Sequence, residues 1–213
     1  MKRIVEIIEI LDRKYKVKAW REKPFKLLIG TVISQRTKDE TTEKAVGQLF
    51  RVANTPEKIL KLSEKRIAKL IYPAGFYRQK SRRIKEISRI VLEKYRGRVP
   101  DEREELMQLP GVGSKTASIV LAYSFGVPTI AVDTHVNRIS QRLGLVPNGC
   151  KPEKTQELLE KIVPEKLQIK VNHLFVLFGQ NICRPVRPYC NICPIYRYCK
   201  YEKKEYYRKL PLR

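Results

Sequence analysis

The sequence predicts an all-α protein, and three observations carry that prediction. Apolar residues recur at helical spacing from the first turn, as in Ile4, Ile7, Ile8 and Leu11. Proline and glycine gather in short clusters between such runs, at 73-PAG-75, 110-PGVG-113, 126-GVP-128 and 147-PNG-149, and read as joints between packed helices. Strand signals are sparse, and the best of them, 129-TIAV-132, is too short to seed a sheet.

The elements follow in order. The opening MKRIVEIIEILDRKY is an amphipathic helix, because Glu6 and Glu9 interrupt the apolar run that a signal peptide would need. Thr55-Pro56 offers an N-cap followed by proline at the first helical position. Asp101 and Glu104 suggest a capping box ahead of the helical stretch 101-DEREELMQL-109. Lys151-Pro152 opens a further amphipathic run, 153-EKTQELLEKIV-163. Pro164 breaks the chain before a long apolar helix through 167-LQIKVNHLFVLFG-179. No low-complexity linker or short-period repeat is present, and no segment approaches the ~20 uninterrupted apolar residues of a membrane span.

Charge narrows the partner. The 213 residues hold 45 Lys and Arg against 22 Asp and Glu, a net charge of +23. Heat adaptation raises the number of charges but leaves them roughly balanced, so the excess needs another cause. A polyanion supplies one, and nucleic acid is the commonest. The excess is clustered: residues 78–98 and 183–213 each carry a net +7. The expected setting is an intracellular reducing compartment, the nucleoid-associated cytoplasm, where cysteines bind metal more readily than they form disulfides.

Four of the five cysteines fall within a short loop, as Cys183, Cys190, Cys193 and Cys199 with spacing C-x6-C-x2-C-x5-C. Structural zinc usually takes two C-x2-C-type pairs with a longer insert. Here one such pair has two outlying partners among prolines, which suits a [4Fe–4S] cluster at least as well. The spacing alone leaves iron–sulfur, zinc and no metal open. Cys150 stands apart and reads as a small apolar filler.

The stretch 109-LPGVGSKTASIV-120 raises the sharpest question. It fails as a Walker loop, since Ser114 and not glycine precedes Lys115, and as a dinucleotide fingerprint, since Thr116 takes the third glycine's place. What remains is a turn between helices whose Gly111 and Gly113 lack Cβ atoms. The backbone there can lie close to a phosphate, with Val112 and Ser114 completing the loop. Lys115 in the first turn of the next helix is a candidate nucleophile, because desolvation and a helix N-terminus both favour a neutral amine. Eighteen residues on, Asp133 in 132-VDTHV-136 fits a helix N-cap, a functional carboxylate, or both.

These motifs, in this order, closely resemble endonuclease III, the iron–sulfur branch of the helix–hairpin–helix DNA glycosylases. The likeness runs from 24-PFKLLIGTVISQRTKD-39 through 109-LPGVGSKTA-117 and 130-IAVDTHVNR-138 to Cys199. It implies two helical domains with the DNA cleft between them: a six-helix domain over 23–131 holding the hairpin, and a cluster domain joining 1–22 to 132–213. It also implies a [4Fe–4S] cluster on Cys183, Cys190, Cys193 and Cys199.

The activity implied is bifunctional: removal of oxidised pyrimidines from duplex DNA, then strand cleavage at the abasic site. By resemblance Lys115 attacks the sugar and Asp133 stabilises its developing positive charge. The partner implied is double-stranded DNA with a damaged base or abasic site, bound by a monomer with no membrane contact. Base flipping needs a filler for the vacated stack. The family's two filling loops map to Arg36, with Gln35 beside it, and to Phe76; bacterial members commonly carry Gln where this chain has Arg36. His135 is expected as a structural or phosphate-side residue, and His173 as a core or interdomain one. The nearest rival is a monofunctional mismatch glycosylase of the same fold, whose members typically lack a lysine at the position of Lys115. A docking-only DNA module is a rival of another class, and the pairing of Lys115 with Asp133 counts against it.

Overall fold

The structure is a computed structural model that describes residues 2–18 and 20–211. Among the described residues it contains α-helices, short 3-10 and π turns, and no strand. In chain order the α-helices are α1 (Lys2–Tyr15), α2 (Pro24–Ser34), α3 (Asp39–Val52), α4 (Pro56–Leu60), α5 (Glu64–Ile71), α6 (Tyr77–Glu93), α7 (Arg103–Met107), α8 (Ser114–Val120), α9 (Thr134–Arg142), α10 (Pro152–Ile162), α11 (Glu165–Asn181) and α12 (Lys204–Arg208). The all-α expectation holds, and 129-TIAV-132 is extended chain without a sheet partner.

The chain divides into two compact units. One spans residues 21–126, and the other joins residues up to 20 with those from 127 onward. The boundaries differ from the expected 22/23 and 131/132 for identifiable reasons. Glu22 N donates to the Tyr123 carbonyl at 3.0 Å, which ties residue 22 to the central unit. Ile130 is fully buried in the core of the other unit, beside Ile4 and Phe175.

The central unit carries α2 to α8, seven helices where six were expected. The extra one arises because both Thr55 and Ser63 cap helices, accepting from Lys58 N at 3.3 Å and Arg66 N at 3.1 Å, so the segment splits into α4 and α5. Its core is built from Leu28, Ile29, Val32 and Ile33 of α2 against Leu49 of α3, Ile84 and Ile87 of α6, and Ala117 and Val120 of α8. The Asp101 capping box is not formed. Helix α7 begins at Arg103 behind Glu102, whose side chain makes no cap bond, so the chain turns in one residue later than the pattern suggested.

The other unit buries the stripe Ile4, Ile7, Ile8 and Leu11 of α1 against Leu174, Phe175 and Phe178 of α11 and Val136 and Ile139 of α9. Each such side chain contributes on the order of 2 kcal/mol when taken out of water. Cys150 packs at the edge of this core, as expected of a filler. Among the described residues, no helix is long and apolar enough to cross a membrane.

Candidate functional site

In the central unit the hairpin between α7 and α8 follows from its glycines. Gly111 has φ +79°, a left-handed conformation that suits glycine, and a Cβ there would meet Arg83 Cδ at 2.9 Å. Gly113 has ordinary φ, and a Cβ on it would meet nothing within 4 Å. Its small size therefore serves no internal packing and leaves the backbone open to an outside group. Val112 is buried and anchors the turn to the core, while Ser114 begins α8.

Lys115 is the second residue of α8 and is exposed. The sequence expectation of a desolvated amine is corrected here. The protein leaves this side chain in water, so any desolvation has to come from a bound partner.

Within this unit one further loop reaches the hairpin and a second packs against the first. Gln35 Nε2 donates to the Gly111 carbonyl at 2.8 Å. Arg36 and Phe76 face each other, with the Arg36 guanidinium carbon 5.5 Å from the Phe76 ring centroid. Phe76 is 58% exposed, which rules out a core aromatic. Both have left-handed backbones, φ +51° at Arg36 and +55° at Phe76, a conformation that costs a non-glycine residue on the order of 1–3 kcal/mol and gathers at functional sites. Gln35, Arg36, Phe76, Gln79, Lys80 and Arg83 line one pocket. The last three are not among the site residues expected from sequence, although they sit in the basic 78–98 run that is read there as part of a polyanion-binding charge.

That run is only partly available to a polyanion. Lys80 donates to one acceptor in the last turn of α2 and two in the α2–α3 turn, Lys85 to the Leu62 carbonyl and Lys94 to Gln108. Arg89 is held by Glu86 and Glu93.

The other unit carries Asp133, His135 and the cysteines. Asp133 is the N-cap of α9, its Oδ1 accepting from Val136 N at 2.8 Å. The capping reading is therefore correct, and the cap fixes where the carboxylate points. His135 packs against α11: a Cβ on Gly179 would meet its Nδ1 at 2.4 Å, and Arg138 Nη2 lies 3.2 Å from the same nitrogen. His173 on α11 is half-buried, and burial pushes its imidazole below the usual histidine range.

Cys183, Cys190, Cys193 and Cys199 line one pocket with Ile139, Leu143, Phe178 and Ile195. None is in a disulfide. Burial, joined by the neighbouring cysteines, pushes the Cys193 thiol up to about 12 and Cys190 to about 11. Among the described residues no group of three or more His, Cys, Asp or Glu is placed closely enough to hold a metal ion. Arg142 Nη1 lies 3.3 Å from Cys183 Sγ and 2.7 Å from the Arg184 carbonyl, and Nη2 bonds the Pro185 carbonyl at 2.9 Å. Arg138 bonds the Cys183 carbonyl at 2.9 Å. Both arginines escaped sequence reasoning, although their spacing of four on one helix was a readable signal that they share a face.

Residues 29–165 match the family described as HhH-GPD superfamily base excision DNA repair protein. Endonuclease III of Thermotoga maritima is 49% identical over 199 residues, covering 93% of this chain and 91% of its own. The chain belongs to the endonuclease III family. Among solved structures of this fold, a trapped covalent endonuclease III–DNA intermediate with an estranged adenine superposes with TM-score 0.88 at 34% identity, covering 96% of this chain and 98% of that one. A thermostable thymine-DNA glycosylase superposes with TM-score 0.86 at 27% identity, covering 95% and 98%. Endonuclease III membership accounts for the all-helical architecture.

Proposed function

We propose that this protein excises oxidised or ring-saturated pyrimidines from duplex DNA, with Lys115 as nucleophile and Asp133 as the stabilising carboxylate. As a member of the endonuclease III family it is a base-excision-repair DNA glycosylase with AP lyase activity. The observation that carries the residue assignment is the exposed Lys115, in the first turn of α8 behind a glycine hairpin whose outer side is open.

The chemistry follows from these groups. Backbone amides of Gly111–Ser114 receive a phosphate and set the register of the duplex without reading sequence. Gln35, Arg36 and Phe76 occupy the stack vacated by the flipped nucleotide. The Lys115 amine attacks C1′, the C1′–N bond breaks, and the base leaves with its electron pair and takes up a proton. Asp133 opposes the positive charge that builds on the sugar. The amine loses a proton, the sugar ring opens as the C1′–O4′ bond breaks and O4′ takes up a proton, and the resulting iminium acidifies the 2′ proton, whose loss expels the 3′ phosphate.

Cys183, Cys190, Cys193 and Cys199 would hold a [4Fe–4S] cluster, as sulfur donors disposed around an apolar pocket with Arg142 beside one of them. When bound, the cluster supplies a rigid cross-link for residues 183–199.

Borohydride trapping on duplex DNA containing thymine glycol tests the proposal. Wild type is expected to give a covalent adduct and Lys115→Gln none; an undiminished adduct in Lys115→Gln overturns the assignment. The purified protein is expected to be yellow-brown, and a colourless zinc-loaded protein would contradict the cofactor.

A further inference from the structure

Lys80 is a lysine in a strongly basic segment, yet it is 2% exposed. Its Nζ donates to the Ile33 carbonyl at 2.6 Å, the Gln35 carbonyl at 2.5 Å and Thr37 Oγ1 at 2.8 Å. Three acceptors match the three donors of an ammonium group. No carboxylate pairs with it among the described residues. A buried cation without a counter-charge is costly, and an apolar side chain would fill the same space without that cost. Its function therefore lies in what it holds.

What it holds is the turn that carries Gln35 and Arg36. Thr37 Oγ1 also accepts from Gly75 N at 3.1 Å, so the loop carrying Phe76 is tied to the same point. The two loops pass so closely that a Cβ on Gly75 would meet the Arg36 carbonyl oxygen at 2.5 Å. The paired left-handed residues Arg36 and Phe76 project from this junction, and Gln35 reaches from it to the hairpin carbonyl of Gly111. One ammonium group thus joins both gap-filling loops and, through Gln35, the hairpin.

We propose that Lys80 is a positioning residue for duplex opening, setting the 33–37 turn against the 73–76 loop so that Arg36 and Phe76 enter the DNA stack together. The inference rests on the glycosylase reading and adds the residue that aligns its wedge. It predicts that Lys80 matters when a base must be extracted from a paired stack and matters little when none needs to be.

Single-turnover rates for wild type, Lys80→Met and the milder Thr37→Val test this on two substrates, thymine glycol in duplex DNA and a preformed abasic site in single-stranded DNA. Lys80→Met is expected to slow duplex excision at least tenfold and single-strand cleavage by less than twofold. Thr37→Val is expected to show the same split at a few-fold, and it carries the test should Lys80→Met fail to fold. Equal loss on both substrates, or loss on neither, overturns the proposal. Amide exchange gives a readout independent of activity: Lys80→Met should speed exchange at 35–38 and leave α3 protected. Wild type inactive on both substrates would sink the glycosylase reading itself. Exchange then decides Lys80 alone, and unchanged exchange at 35–38 refutes its role.

Discussion

Arg142 places one guanidinium nitrogen 3.3 Å from Cys183 Sγ while its guanidinium carbon lies 4.3 Å from the centroid of the Tyr201 ring. The same side chain bonds two carbonyls of the cysteine loop, and its own carbonyl accepts from Lys200 N at 2.7 Å. The loop is therefore gripped from α9 at both ends. Arg142→Met keeps the stem and removes the charge and its hydrogen bonds, at a cost on the order of 2–3 kcal/mol. Iron and sulfide content per chain should fall and the unfolding midpoint should drop. Full cluster content with an unchanged midpoint would contradict this.

Asp133 separates stability from chemistry. Asn retains the cap on Val136 N, so Asp133→Asn should unfold within about 0.5 kcal/mol of wild type, whereas Asp133→Ala should lose about 1 kcal/mol. Removing the charge should slow base excision on the order of 10²–10³-fold in both. Thermal unfolding and single-turnover kinetics measured side by side check the split.

The two hairpin glycines should fail differently. Gly111→Ala forces a left-handed alanine against Arg83 and should destabilise by about 1–2 kcal/mol. Gly113→Ala meets no protein atom, so its unfolding should stay near wild type while its affinity for undamaged duplex falls. Loss of stability in Gly113→Ala without loss of binding would refute the open-face reading.

His173 should leave a mark in acid. Burial lowers its folded pKa below the unfolded value near 6.5, so the unfolded chain takes up the proton first. Its contribution to stability is complete above that value and is lost as pH falls below it. The stability difference between wild type and His173→Gln should therefore shrink from pH 7.5 to pH 5.5, as followed by urea unfolding. A difference that is flat in pH would contradict the shift.

Much of this was legible in the residues. The 3.6-residue stripes of α1 and α11 and the proline-led starts of α4 and α10 are local signals, and the structure honours them. Asp101 was misleading because Glu102 and not Asp101 precedes the first turn of α7. Lys80 was unreadable for a deeper reason. A lysine among arginines looks solvated unless the acceptors that bury it are known, and those come from a turn more than forty residues earlier. Lys115 showed the converse: its place behind the hairpin was plain, but its exposure depends on how the central unit packs.

The discontinuous unit bears on synthesis as well as on the folded state. Helix α1 leaves the ribosome more than 150 residues before Leu174, Phe175 and Phe178, which cover its apolar stripe. At roughly 5–20 residues per second that interval is on the order of ten seconds. The segment from Leu28 to Leu121 meanwhile emerges with its core partners complete. The nascent chain thus carries an uncovered greasy helix ahead of a finished middle, the kind of surface a ribosome-bound chaperone recognises.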